Sequence, residues 1–357
     1  MMGRTRVIPT VFRTVVATLL VHLLVFALVV GTVNPLGTLW GHWFPTATPV
    51  TRMTKMKLFA AWERQAPVRG LILGASRSML LAPTAFSQAR GLRYFNYALS
   101  AGTLEDVRIV MQLMDEQHVH LSEITLGVDA QMLTRYPPAH ELTTDWEFAR
   151  RLEGSPPTSE WKFKHGVQLA REAMTPRFIR AVGTSVMAAL QHKEPLHHIS
   201  DDGYLAYPLR DKQIAAGHYP RESMIKRCTR VIVDSLLVQY PSDPRRMAML
   251  NAILDHARSE GIRVTLWYTP DHPDLIRTAA LHPALDAWLR GVPDSLQRVA
   301  AVYGATFVNL HTIDTFDGDP NDYYDCAHFG HANEAKITAQ LLAADRLGAG
   351  PALAHAP

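Results

Sequence analysis

Val68-Arg69-Gly70-Leu71-Ile72-Leu73 runs directly into Gly74-Ala75-Ser76-Arg77-Ser78. A short apolar run stopped by a glycine reads as a buried strand with a tight exit. The same pattern recurs outward from it. Residues 94–99 form a second strand candidate, closed by Ser100-Ala101-Gly102-Thr103. A helix fits residues 104–118, where Val107, Val110, Met111 and Met114 recur at helical spacing. Thr103 can cap it, with Asp106 three positions on. Residues 124–128 predict a third strand, 247–260 a helix halted by Gly261, and 263–268 a fourth strand stopped before Pro270. Residues 281–303 read as helical but split near Gly291 and Pro293. Residues 306–308 make a short fifth strand and 333–347 a last helix.

Strands alternating with helices imply a parallel sheet covered on both faces, joined by right-handed crossovers. The fold class expected is therefore α/β, a flavodoxin-like doubly wound parallel sheet. Sites in such sheets form at the carboxyl ends of the strands. Residues 74–78, 100–103, Asp129, 269–272 and 325–328 would gather there. Residues 129–244 break the alternation and are rich in Pro and His, with amphipathic pieces over 161–174 and 177–191. They read as a helical insertion, a cap or lid, at about 130–244.

Val15 to Val33 is nearly unbroken apolar sequence. At 1.5 Å per residue it just crosses a hydrocarbon core of roughly 30 Å. Arg4, Arg6 and Arg13 precede it, and the first cation after it is Arg52. That asymmetry predicts a cytoplasmic N-terminus and an extracytoplasmic main domain. Trp40, Trp43 and Phe44 suit the outer interface. A cleavable signal is disfavoured by the length of the run and the lack of a small-x-small site. The organisation expected is a cytoplasmic tail (1–13), a single-pass anchor (14–34), a connector (35–66), the α/β domain (67–348) and a tail (349–357).

Across 357 residues, a net charge of +3 and 8% aromatics, with no long basic block, argue against a nucleic-acid partner. Cys228 and Cys326 are the two cysteines. An oxidising compartment would allow them to pair. Spacing alone does not bring their Cα atoms together, so two separate thiols are the default expectation.

The chemistry turns on Tyr323-Tyr324-Asp325-Cys326-Ala327-His328-Phe329-Gly330-His331. Serine is a weak nucleophile that needs a base, itself oriented by an acceptor. With Ser76 at the end of the first strand, His328 would take its proton and Asp325 would hold the imidazole tautomer. Taken singly, Ser76 is more simply a turn serine and Asp325-x-x-His328 a capping aspartate beside a surface histidine. Their convergence on one sheet edge favours the catalytic reading. A metal at Asp325, His328 and His331 rests on one weak cluster, so neither metal nor cofactor is expected.

The chain resembles the SGNH, or GDSL-like, hydrolase superfamily, and within it the membrane-anchored, extracytoplasmic branch. That branch includes the D-alanine transfer protein of teichoic acid assembly and polysaccharide O-acetyltransferases. Residues 72–78 resemble the first block, with Ser76 as nucleophile. Residues 95–102 resemble the second, whose glycine, here Gly102, would lend a backbone N–H to the oxyanion hole. Residues 324–329 resemble the last, carrying acid and base. The third block departs: Asp129 stands where an asparagine amide usually completes the hole, and an ionised carboxylate would repel the oxyanion. Asp129 could serve if protonated in an apolar pocket, or could bind a substrate hydroxyl or basic group. Asn96 could supply the amide instead. Arg77 could pair with Asp129 or hold an anionic substrate.

The resemblance implies a periplasmic serine esterase or O-acyltransferase at the inner membrane. Its substrate would be an acylated cell-surface glycan or cell-wall polymer, with a membrane acyltransferase as a possible partner. The alternative is a non-catalytic glycan- or acyl-binding module of a surface-polymer assembly complex.

Overall fold

The computed structural model describes residues 7–33, 52–138, 142, 146–153, 158–160, 163–164, 166–167, 171, 174–190 and 197–348. Arg4, Arg6, Trp40, Trp43, Phe44, Trp161 and the 349–357 tail lie outside them. The helices are α1 (Val7–Val33), α2 (Arg52–Gln65), α3 (Pro83–Arg90), α4 (Leu104–Glu116), α5 (Trp146–Glu153), α6 (Pro176–Leu190), α7 (Pro208–Ala215), α8 (Arg221–Gln239), α9 (Pro244–Ser259), α10 (Pro273–Ala279), α11 (Pro283–Tyr303) and α12 (His331–Gly348). The strands are β1 (Gly70–Leu73), β2 (Tyr94–Asn96), β3 (Glu123–Val128), β4 (His198–Ile199), β5 (Leu205–Ala206), β6 (Arg263–Tyr268) and β7 (Thr306–Asn309). By contacts the chain divides into two compact units, Met1–Met53 with Pro157–Pro195, and Thr54–Pro156 with Leu196–Pro357.

In the second unit five strands form one parallel sheet in the order β2-β1-β3-β6-β7. This is the flavodoxin-like doubly wound order, with the reversal between β1 and β3. The fold is therefore α/β as expected. Strand β1 is buried along its whole length, as is β3, which explains why both read as continuous apolar runs rather than alternations. The main core packs Leu71, Leu73, Ile124, Leu126 and Leu266 against Val107, Val110 and Met114 of α4 and Leu250 and Leu254 of α9. Helix α4 starts where its signal lies, with the Thr103 N–H donating to Asp106 Oδ2 at 2.8 Å.

Three local readings differ from the structure. Strand β2 ends at Asn96 because the chain then bends along the end of β1, Tyr97 N–H donating to Ile72 O and Leu99 N–H to Gly74 O. Helix α11 runs through Pro293 unbroken. Its buried face, Leu285, Leu289, Val292, Leu296 and Ala300, continues on both sides, so packing outweighs one lost backbone bond. Residues 35–66, read as a connector, contain α2.

In the first unit, α1 carries a run, Phe12–Val29, long and apolar enough to cross a membrane. Its side chains are exposed on all sides, Phe12, Leu20, Leu23 and Leu24 among them. His22 bonds to the Thr18 carbonyl within the helix, at 2.7 Å.

Candidate active site

Ser76 occupies the exit of β1. Gly74 has φ +132°, and a Cβ there would collide with Gly127 O and Ser78 Oγ, so the turn tolerates only glycine. Between Gly70 and Leu81 every residue is buried except Ser76. The turn closes when Ser78 N–H donates to Ala75 O at 3.0 Å, and the Ser76 N–H donates to no described residue.

The histidine comes from a tight loop between β7 and α12. Tyr324 N–H donates to His328 O at 2.8 Å and Gly330 N–H to Asp322 O at 2.7 Å. Asp325 sits at the apex, its Oδ1 accepting the Ala327 and His328 backbone N–H groups at 3.0 and 2.9 Å. His328 Nδ1 lies 2.8 and 2.9 Å from the two Asp325 oxygens. An ionised carboxylate only accepts, so Nδ1 carries the proton and Nε2 is left as an acceptor. His328 Nε2 is 2.9 Å from Ser76 Oγ. Ser76, His328 and Asp325 form one hydrogen-bonded chain. Burial alone would raise the Asp325 carboxyl, but His328 and the two backbone donors outweigh it and hold the group well below the ordinary carboxylate range.

The other expected pocket residues take different roles. Gly102 donates its N–H to Leu99 O at 3.0 Å, so this group is engaged in a turn and is not free to face an oxyanion. Its lack of a side chain matters for another reason. A Cβ would lie 2.7 Å from Gly74 O and 3.2 Å from Ala75 Cα, so glycine lets the second loop pack onto the nucleophile's turn. Asn96 is likewise committed, donating to Ser78 O at 2.7 Å and Leu81 O at 2.9 Å and accepting from Ala98 N–H. It braces the Ser76 turn from behind, with both amide N–H groups engaged.

Arg77 is buried and pairs with Asp271 at 2.6 Å rather than with Asp129, while also donating to Thr269 Oγ1 at 2.9 Å. It is not free for an anionic substrate. Asp271 also meets His311 Nε2 at 3.1 Å. Burial favours its neutral form, but Arg77 and His311 more than compensate and its pKa falls. His272 caps α10, Nδ1 accepting from the Asp274 N–H, with Nε2 at 3.1 Å from Pro320 O. The 269–272 stretch is thus a scaffold under the loops.

Asp129 accepts the Met132 N–H at 3.0 Å, capping the turn Ala130–Leu133. Burial raises its pKa, and the nearby Arg77 cation offsets this only in part. The carboxyl is therefore shifted toward its neutral form.

The insertion also reaches the loop that carries Asp325 and His328. Cys228 of α8 is disulfide-bonded to Cys326, the neighbour of Asp325, which overturns the expectation of two separate thiols. The physical reason is that α8 folds back so that Ile225 and Cys228 pack with Leu275, Cys326 and Ala327. Tyr219 Oη donates to Tyr324 O at 2.7 Å and Arg221 Nε to Tyr323 O at 3.2 Å. The Tyr207 ring meets His328 edge-on at 6.2 Å and Tyr324 at 5.0 Å. Arg210 stacks over Tyr207 at 4.2 Å, with Nη1 3.9 Å from Asp325 Oδ2. His197 packs on Tyr207, and burial, with Arg210 and His328 nearby, pulls its pKa down to about 4. The one sequence signal for any of this was the presence of two cysteines. His331 faces away from the triad, toward Asp211 and Glu334 at 3.3 and 3.5 Å.

Neither a known protein family nor a curated protein matches this chain. Among solved structures, one similar chain is a "putative acylhydrolase" from Bacteroides fragilis. It is 10% identical, the match covers 82% of this chain and 97% of that one, and the TM-score is 0.38. At that TM-score the likeness carries no argument. The resemblance to SGNH-like hydrolases rests on the motif residues alone.

Proposed function

We propose that the protein is a membrane-anchored, SGNH-like serine esterase or O-acyltransferase. The observation that carries this reading is the hydrogen-bonded chain from Ser76 through His328 to Asp325, ending at the one accessible residue of a buried turn. Ser76 Oγ attacks an ester carbonyl while His328 Nε2 takes its proton. Asp325 holds the ring and stabilises the imidazolium. The oxyanion meets the Ser76 N–H, which no described residue occupies. Collapse expels the alcohol with the proton from His328 and leaves an acyl-serine. Water, or the hydroxyl of an acceptor, then takes the acyl group by the reverse steps.

The anchor α1 would keep the enzyme at the inner membrane with its N-terminus in the cytoplasm. The Cys228–Cys326 disulfide supports placing the main domain in the oxidising periplasm. Such a position suits an acylated cell-surface glycan or cell-wall polymer as substrate. A membrane acyltransferase would be a natural donor of acyl groups if the reaction is transfer.

The test uses an activated acetyl ester and an organophosphonate probe. Wild type is expected to turn over the ester and to be labelled at Ser76. Ser76→Ala and His328→Ala are expected to be folded but inactive. Undiminished turnover by folded Ser76→Ala would refute the reading.

A further inference from the structure

Helix α6 has apolar surface on more sides than a soluble helix can hide. The side bearing Phe178 and Ser185 is buried. A second stripe, at i, i+4 and i+3, runs through Ile179, Gly183, Met187 and Leu190 and is exposed, with Ile179 at 57%, Met187 at 50% and Leu190 at 70%. The polar positions between these faces that carry described side chains are Arg180 and Thr184, and Thr184 Oγ1 turns back to the Arg180 carbonyl at 3.0 Å. A helix apolar on most of its circumference belongs in a protein core or in lipid.

The surroundings of α6 select between these two. It belongs to the same compact unit as α1 and lies against it. The Phe12–Val29 run of α1 is itself exposed all round and is long and apolar enough to cross a membrane. The open stripe of α6 therefore lies on a helix packed against the one that carries this apolar run. The 15 residues of α6 would span only about 22 Å as a helix, short of a hydrocarbon core of roughly 30 Å. Arg180 also favours the headgroup boundary over the interior of the bilayer.

We propose that α6 is a second membrane-contacting element, lying along the bilayer interface beside the span with Ile179, Met187 and Leu190 in lipid. The partner is the bilayer itself, and the residues that bind it belong to the stretch that interrupts the α/β alternation. The anchor is then a two-point attachment, α1 crossing the membrane and α6 resting on it. This rests on α1 being a span, the anchoring part of the reading above, and is independent of the chemistry at Ser76.

Full-length protein in phospholipid nanodiscs, carrying a nitroxide at Met187→Cys, tests this directly. The native cysteines are paired and stay unlabelled. Collision rates with oxygen, which partitions into lipid, and with a water-soluble nickel chelate are compared at three sites. Leu23→Cys in α1 reports lipid, and Val238→Cys, 84% exposed in α8, reports water. The expected oxygen-to-nickel ratio at Met187 is close to that at Leu23 and several-fold above that at Val238. A ratio matching Val238 overturns the proposal. Low collision with both reagents, with spin–spin broadening, overturns it in favour of a second copy of the chain. Water-like behaviour at Leu23 as well overturns the span reading and this proposal together, and leaves the esterase reading untouched.

Discussion

Removing the disulfide by Cys228→Ala with Cys326→Ala tests how far the insertion supports the loop that carries Asp325 and His328. The bridge joins residues 98 positions apart. Loop-closure entropy for a loop of that size corresponds to about 4.7 kcal/mol at 25 °C. The Tyr219 and Arg221 bonds to Tyr324 O and Tyr323 O persist in the variant, and so does the apolar contact of Ile225 with Leu275. These keep α8 near the loop, so the expected loss lies at about 2–4 kcal/mol. Turnover should fall less steeply. Asp325 still receives the Ala327 and His328 N–H groups, which shape the loop locally. A fall of about tenfold in kcat corresponds to ~1.4 kcal/mol of misplacement. Guanidinium unfolding followed by tryptophan fluorescence reads the first quantity, and turnover of an activated ester reads the second. Dithiothreitol should reproduce both effects on wild type and leave the double variant unchanged. A stability loss under ~1 kcal/mol with unchanged turnover would refute the claim that this bridge tethers the loop.

Asn96→Leu removes the amide that satisfies two buried carbonyls behind the nucleophile. At ~1–3 kcal/mol for each of these two stranded carbonyls, a loss of about 2–6 kcal/mol is expected in chemical unfolding. Asp129→Asn keeps an oxygen for the Met132 N–H and removes the ionisable carboxyl. Turnover should rise at neutral pH, by up to ~10²-fold if the new amide reaches the oxyanion, and a tenfold fall would instead assign Asp129 a proton-donating role. The Glu334 and Asp211 carboxylates raise the His331 pKa from 6.5 to about 9. A raised folded pKa means His331 stabilises the fold fully below pH 6.5 and loses this as pH passes 9. Because its side chain is 59% exposed, the effect should stay under ~1 kcal/mol. Melting temperature against pH should show the gap between wild type and His331→Gln closing across that window.

The strands and the residues of the Ser76–His328–Asp325 hydrogen-bonded chain were legible because their signals are local. A strand needs a short apolar run and a stop, and β1, β3 and β6 each carry both within about ten residues. The same is true of the Thr103–Asp106 cap and of the Asp325–His328 spacing, where acid and base are held by one tight loop. The apolar run of α1 is likewise complete in itself.

What only the tertiary structure decided are the pairings between distant segments. Arg77 was expected to pair with Asp129 or hold an anionic substrate, and the end of β6 brought Asp271 to it instead. Gly102 and Asn96 carried motif-like identities, but their N–H groups were claimed by the turns that seat Ser76. Cys228, Tyr207, Arg210 and Tyr219 reach the loop of Asp325 and His328 only because the insertion folds back over it. Residue type and spacing encode what a few neighbours do through backbone geometry and apolar periodicity. Which thiol meets which across 98 residues, or which buried donor meets which acceptor across 192, depends on how the packed elements share space.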